Sequence, residues 1–138
     1  MLVVGGGLVG LAVAWELLNQ GLAVELIDPA LDQASTSDPA SGSLAALGVL
    51  MAQVFHRSSG RGWRLREQSQ LLWQQWLIRL RERGHRVTRR DGQLAPRAVR
   101  SALWCEARAA GLSTCRDTVT ALERRGSDWQ VHCQSGSS

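Results

Sequence analysis

The feature that most constrains this chain is its opening: a short apolar run, Met1 to Val4, leading at once into Gly5-Gly6-Gly7-Leu8-Val9-Gly10. A brief β-branched run of this kind fits a strand buried in a parallel sheet. Gly5, Gly7 and Gly10 satisfy the spacing G-x-G-x-x-G, and each has its own physical task. Gly5 permits the tight turn out of the strand, Gly7 lets a diphosphate approach bare backbone, and Gly10 lets the next helix pack closely on the sheet. A helical pattern then runs from Leu8 to Gln20, with Leu11, Trp15 and Leu18 on one face and Gly21 as its stop. Ala23 to Ile27 reads as a second buried strand ending in Asp28-Pro29.

This β–turn–α–β order aims free amides and the positive end of a helix dipole at the turn, as a pyrophosphate requires. Asp28 lies 18 residues beyond Gly10, near the roughly 20 expected of a carboxylate that binds ribose hydroxyls. A carboxylate there repels a 2′-phosphate, which disfavours NADP. The opening strand and glycines alone do not separate FAD from NAD, and a glycine-rich turn without a ligand is the bland alternative.

The rest of the chain reads as α/β. Ala34 to Ser43 is an irregular loop rich in Ser, Thr, Asp, Pro and Gly, and Leu44 to Val54 is small and apolar around Gly48. A long helix fits Gly62 to Arg83, with Leu65, Leu72, Trp76 and Leu80 at helical spacing and Gly84 as terminator. Arg86 to Leu94 reads as strand and turn around Asp91-Gly92. A further helix starts near Pro96, striped by Val99, Leu103, Ala107 and Ala110, and ends at Gly111. Leu112 to Arg116 is a brief strand candidate. Thr118 to Arg125 and Asp128 to Cys133 flank Gly126-Ser127 as a β-hairpin.

Composition excludes other classes. With 138 residues and 44% hydrophobic content, residues 1–138 are expected to form a single domain with a real core. All 16 basic residues are Arg, and six of them lie between Arg79 and Arg90. No aromatic ladder interleaves with that run, so a solvated helix end is the expectation and nucleic acid is not an expected partner. Cys105, Cys115 and Cys133 have no zinc or disulfide spacing; they are expected to be buried or half-buried reduced thiols, with no metal site. No run reaches the roughly 20 apolar residues that span a bilayer, and no signal peptide is legible, so a cytoplasmic protein without a membrane partner is expected. His56, His85 and His132 read as isolated, and no catalytic residue can be nominated.

The residues beyond Asp28 point to a family. Ser41-Gly42-Ser43-Leu44-Ala45-Ala46-Leu47-Gly48-Val49-Leu50 resembles the small-residue segment of the D-amino-acid oxidase superfamily, close to the glycine oxidases. The long helix and Asp91-Gly92-Gln93-Leu94-Ala95-Pro96-Arg97-Ala98-Val99 resemble later parts of the same family. The resemblance implies FAD as cofactor and a Rossmann-like FAD/NAD(P)-binding parallel sheet with flanking helices and a C-terminal β-hairpin. It implies a flavin-binding set of Gly5, Gly7, Gly10, Asp28, Ser43, Gly48 and Val119, the last through its backbone near the adenine.

The chain also departs from the family. The substrate-binding sheet expected between the long helix and the Asp-Gly turn is largely missing near residues 86–91, and the sequence stops at Ser138. It therefore resembles an internally deleted, C-terminally truncated relative. The resemblance implies hydride transfer from the C–H of a small amine or amino-acid substrate to flavin. Two alternatives stay open: an inactive FAD- or ADP-binding fragment, and an NAD-binding Rossmann domain.

Overall fold

A computed structural model describes residues 1–31, 42, 48, 59–87, 89–90 and 93–136, the pair 89–90 by backbone alone. Three strands, β1 (Leu2–Val4), β2 (Glu25–Ile27) and β5 (Ser113–Cys115), form a parallel sheet in the order β1-β2-β5. The register pairs Val3 with Leu26 and Leu26 with Thr114, so β2 is central. Helix α1 (Leu8–Asn19) joins β1 to β2, the connection a parallel pair demands. Helices α2 (Arg61–Glu82) and α3 (Pro96–Ala109) come before β5. A two-residue pair, β3 (Arg89–Arg90) with β4 (Gln93–Leu94), precedes α3, and the antiparallel hairpin β6 (Val119–Arg125) and β7 (Asp128–Cys133) comes after β5. The architecture is the expected α/β arrangement of a parallel sheet, flanking helices and a late hairpin.

The core lies where α1 packs between α3 on one side and β1 and β2 on the other. Leu11, Ala14, Trp15, Leu26, Leu80, Val99, Leu103 and Ala107 are sealed from solvent. Trp15 meets Trp76 of α2 edge to face, 5.8 Å between ring centroids, and Arg79 lies 4.4 Å over the Trp15 ring. Helix α3 starts with Pro96, whose fixed φ suits the first turn.

Three packing expectations are corrected. The opening strand is not sealed: Leu2 and Val4 are 38% and 51% exposed, because β1 has a neighbour on one side only among the described residues. Leu65 and Leu72 of α2 are exposed, and only the C-terminal part of that helix, at Trp76, Leu77 and Leu80, reaches the core. Helical spacing reports a face, but it does not report how far along the face a partner extends. Ala110 caps α3 in solvent instead of extending its stripe.

The arginines at the end of α2 lie towards solvent, yet each of three has a partner. Arg79 pairs with Glu16 at 3.5 Å, Arg81 Nε donates to the Val87 carbonyl at 2.8 Å, and Arg83 pairs with Glu106. His85 is not isolated either, with Nε2 2.8 Å from Glu106 Oε1, while His132 lies 3.5 Å from Glu123. His56 lies outside the described residues. Cys115 and Cys133 are half-buried as expected, Cys105 is exposed, and all three are free thiols.

Candidate functional site

The chain leaves β1 through Gly5, whose φ of +99° is the left-handed region that glycine alone enters cheaply. Its amide donates to the Ile27 carbonyl at 2.8 Å, keeping the turn on the sheet. Gly10 sits so close beneath it that an added Cβ would overlap the Gly5 carbonyl oxygen. Both glycines therefore fill the roles that the motif gives them. Gly7 is the N-cap of α1 with φ −70° and ψ −177°, a backbone conformation any residue can adopt. Its own dihedral angles do not call for glycine. As glycine, Gly7 brings no capping side chain of its own, and the first turn of α1 holds no acidic residue, so the positive end of the dipole is not offset by the helix itself.

Asp28 stands at the end of β2, beside the turn. Its Oδ2 accepts the Gly6 amide at 2.6 Å and its Oδ1 accepts the Ala30 amide at 2.7 Å. Its own amide donates to the Cys115 carbonyl at 3.1 Å, which ties β2 to β5 at the same level. The structure thus brings Gly5, Gly7, Gly10 and Asp28 together at one end of the sheet.

The other expected residues are placed differently. Gly48 has φ +66°, and its carbonyl accepts the Leu94 amide at 2.8 Å. A Cβ there would overlap the Leu94 carbonyl oxygen. Its small size is required by the approach of the chain to β4, whatever else lies near it. Val119 opens β6 opposite Cys133, half-buried at the base of the hairpin. Ser43 lies outside the described residues.

Two features escaped the sequence. Gly6 counts only as a spacer in the motif, yet it is buried, and an added Cβ would press on Asp28 at 3.3 Å. Arg100 of α3, itself 9% exposed, donates from Nε to the Gly6 carbonyl at 3.1 Å. The contact spans 94 residues, and only a buried Arg beside the Val99–Leu103 stripe could have hinted at it. Apart from the turn, a cleft of about 390 Å³ opens between the sheet and the hairpin, lined by Leu2, Ile27, Cys115, Trp129 and Cys133 among others. Among the described residues no group of His, Cys, Asp or Glu is placed to hold a metal ion, and no helix is long and apolar enough to cross a membrane.

A parallel α/β sheet with a glycine turn running into a helix, and an acid ending the next strand, defines the class of dinucleotide-cofactor proteins. Residues 1–90 match the DAO family of FAD-dependent oxidoreductases, and the chain belongs to that family. FAD, not NAD, is the family's cofactor. No curated protein sequence matches. Among solved structures, the chain is similar to iminodiacetate oxidase from Chelativorans sp. BNC1, at 15% identity and TM-score 0.75 over 99% of this chain and 51% of that one. It is similar to glycine oxidase from Geobacillus kaustophilus, at 19% identity and TM-score 0.75 over 98% of this chain and 51% of that one. Glycine oxidase from Bacillus cereus gives 15% identity and TM-score 0.71, over 98% and 52%. These likenesses are likenesses of fold, and the chain spans about half the length of each structure.

Proposed function

We propose that this chain holds FAD at its glycine turn, as the cofactor-binding part of a flavin-dependent oxidase acting on a small amine or amino acid. The observation that carries the reading is the turn itself. The N-terminus of α1, whose own first turn carries no acidic residue, follows the junction where Gly5 reverses the chain and Asp28 closes β2. The diphosphate of FAD would lie against the amides that open α1, with Gly7 leaving room for it. Asp28 would accept the ribose hydroxyls, since each carboxylate oxygen keeps acceptor capacity beyond its one backbone bond. Gly48, Ser43 and Val119 belong to the reading as expected neighbours of the flavin and adenine.

Bound FAD would supply a two-electron acceptor for a substrate C–H. The chain's own contribution is to bind and orient. Gly5 and Gly10 let α1 start directly under the turn, and Asp28 ties that turn to β2. A second reading is that this chain holds FAD without turning anything over; the similar oxidases are about twice as long.

One experiment tests both readings. The purified chain is loaded with FAD, desalted, and treated anaerobically with glycine or a D-amino acid. Retained flavin absorbance that bleaches supports the oxidase; retained absorbance that persists supports the second reading. Absence of retained flavin defeats both.

A further inference from the structure

Gly6 is gripped at both polar ends: Asp28 takes its amide at 2.6 Å, and Arg100 holds its carbonyl at 3.1 Å. The first contact is ordinary loop chemistry. The second places a guanidinium, which stays charged at every physiological pH, in a position only 9% exposed to solvent. A buried cation is costly unless an anion or several good acceptors compensate it. Among the described residues the carboxylates in ion pairs are Glu16, Glu106 and Glu123, and none of them pairs with Arg100. The Gly6 carbonyl is a neutral acceptor and satisfies one of five donors.

The placement is specific. Arg100 lies just beyond the first turn of α3, and the start of α3 also meets Gly48 through Leu94 and Pro96. The segment from Leu94 to Arg100 therefore reaches both the Gly48 backbone, through the Leu94 amide, and the glycine turn, through Arg100. The guanidinium bonds the very residue that sits between Gly5 and Gly7. A positive charge in low-dielectric surroundings acts on a nearby anion much more strongly than one in water.

We propose that Arg100 is a positioning residue for the diphosphate: it fixes the Gly6 carbonyl and supplies the buried positive charge that the diphosphate neutralises. The inference rests on the reading of the turn as the FAD site. It goes further by assigning charge recognition to a residue on a different helix, outside the glycine motif. The backbone of the turn provides the shape of the site, and Arg100 adds a full positive charge beside it.

The test uses the full chain, with ADP as probe and thermal denaturation as readout, because a ligand that binds only the folded state raises the melting temperature by an amount set by its affinity. The wild-type protein is expected to be stabilised by ADP. Arg100→Gln, which keeps a donor but loses the charge, should bind ADP about tenfold more weakly or worse, the range for a lost charge-assisted contact. Arg100→Lys, which keeps the charge, should retain most of the stabilisation. A purely structural role predicts the opposite split, a lower melting temperature without ligand and an unchanged response to ADP. That outcome, or Lys failing as badly as Gln, overturns the proposal.

Should Arg100→Gln not fold, the wild-type protein still decides. Inorganic pyrophosphate should raise its melting temperature and compete with ADP, and the lack of either effect overturns the proposal. A wild-type chain that ignores ADP altogether removes the FAD site itself. A wild-type chain that binds ADP while Arg100→Gln binds it equally well removes only the role of Arg100.

Discussion

The Asp28 carboxylate accepts the Gly6 amide at 2.6 Å, so the end of β2 is fastened to the turn that leaves β1. A second bond, from the Ala30 amide at 2.7 Å, folds the chain back after the strand. Asp28 thus works on the protein's own backbone as well as in the proposed ribose site. Asp28→Ala is expected to lower the stability of the cofactor-free chain by about 1.5–3 kcal/mol, the usual worth of hydrogen bonds to a charged group. Urea denaturation without ligand measures this directly, and an unchanged midpoint would contradict the tie. FAD affinity should fall in the same variant.

Gly7 and Gly10 separate binding from folding. A valine at Gly7 fits the φ of −70° found there, so Gly7→Val should cost the fold only about 1 kcal/mol as a poorer cap while abolishing flavin retention. Gly10→Ala drives a methyl into the Gly5 carbonyl and should destabilise the chain by about 1–3 kcal/mol, as overpacking does. Melting curves and flavin content read the two effects apart. A Gly7→Val protein that purifies with stoichiometric flavin would show that the phosphate lies elsewhere.

Glu106 makes stability depend on pH. Burial pushes its carboxyl up, but the hydrogen bonds and charges of Arg83 and His85 outweigh burial and leave it below the ordinary carboxylate range. A carboxylate lowered in the folded state stabilises above its unfolded pKa, and that contribution is lost as pH falls through the folded value. Glu106→Gln should therefore cost about 1.5–3 kcal/mol at neutral pH, and the gap from wild type should narrow in acid below the usual carboxylate range. Denaturation at neutral and acid pH measures it; a gap of constant size would remove Glu106 from the pH response.

Trp15 joins the layers, with Trp76 against its edge and Arg79 over its face. Trp15→Ala is expected to cost about 3–5 kcal/mol, as for other buried aromatic truncations. A loss under about 1 kcal/mol, read by calorimetry, would mean that α2 does not rely on this contact.

The parts of the fold legible in the sequence are those set by local rules. The helix from Leu8, the hairpin around Gly126-Ser127 and the Pro96 start of α3 all appear where spacing and turn chemistry place them. The glycine turn and Asp28 are legible because one short unit brings them together. Features that depend on distant partners are not. Exposure of Leu65 and Leu72 depends on how far α2 runs past its neighbours. His85 and Glu106 are 21 residues apart in sequence, and Arg100 and Gly6 are 94 apart. Gly48 shows a subtler gap: in the sequence its small size reads as a cofactor feature, yet the Leu94 carbonyl alone demands it.

The most direct test of the account is the absorption spectrum of the chain after incubation with FAD and desalting, run beside Gly7→Val. Flavin bands that travel with the wild-type protein and are absent from the variant are the expected result. A folded wild-type chain that emerges colourless, and whose melting temperature ignores FAD and ADP at millimolar concentration, would contradict it.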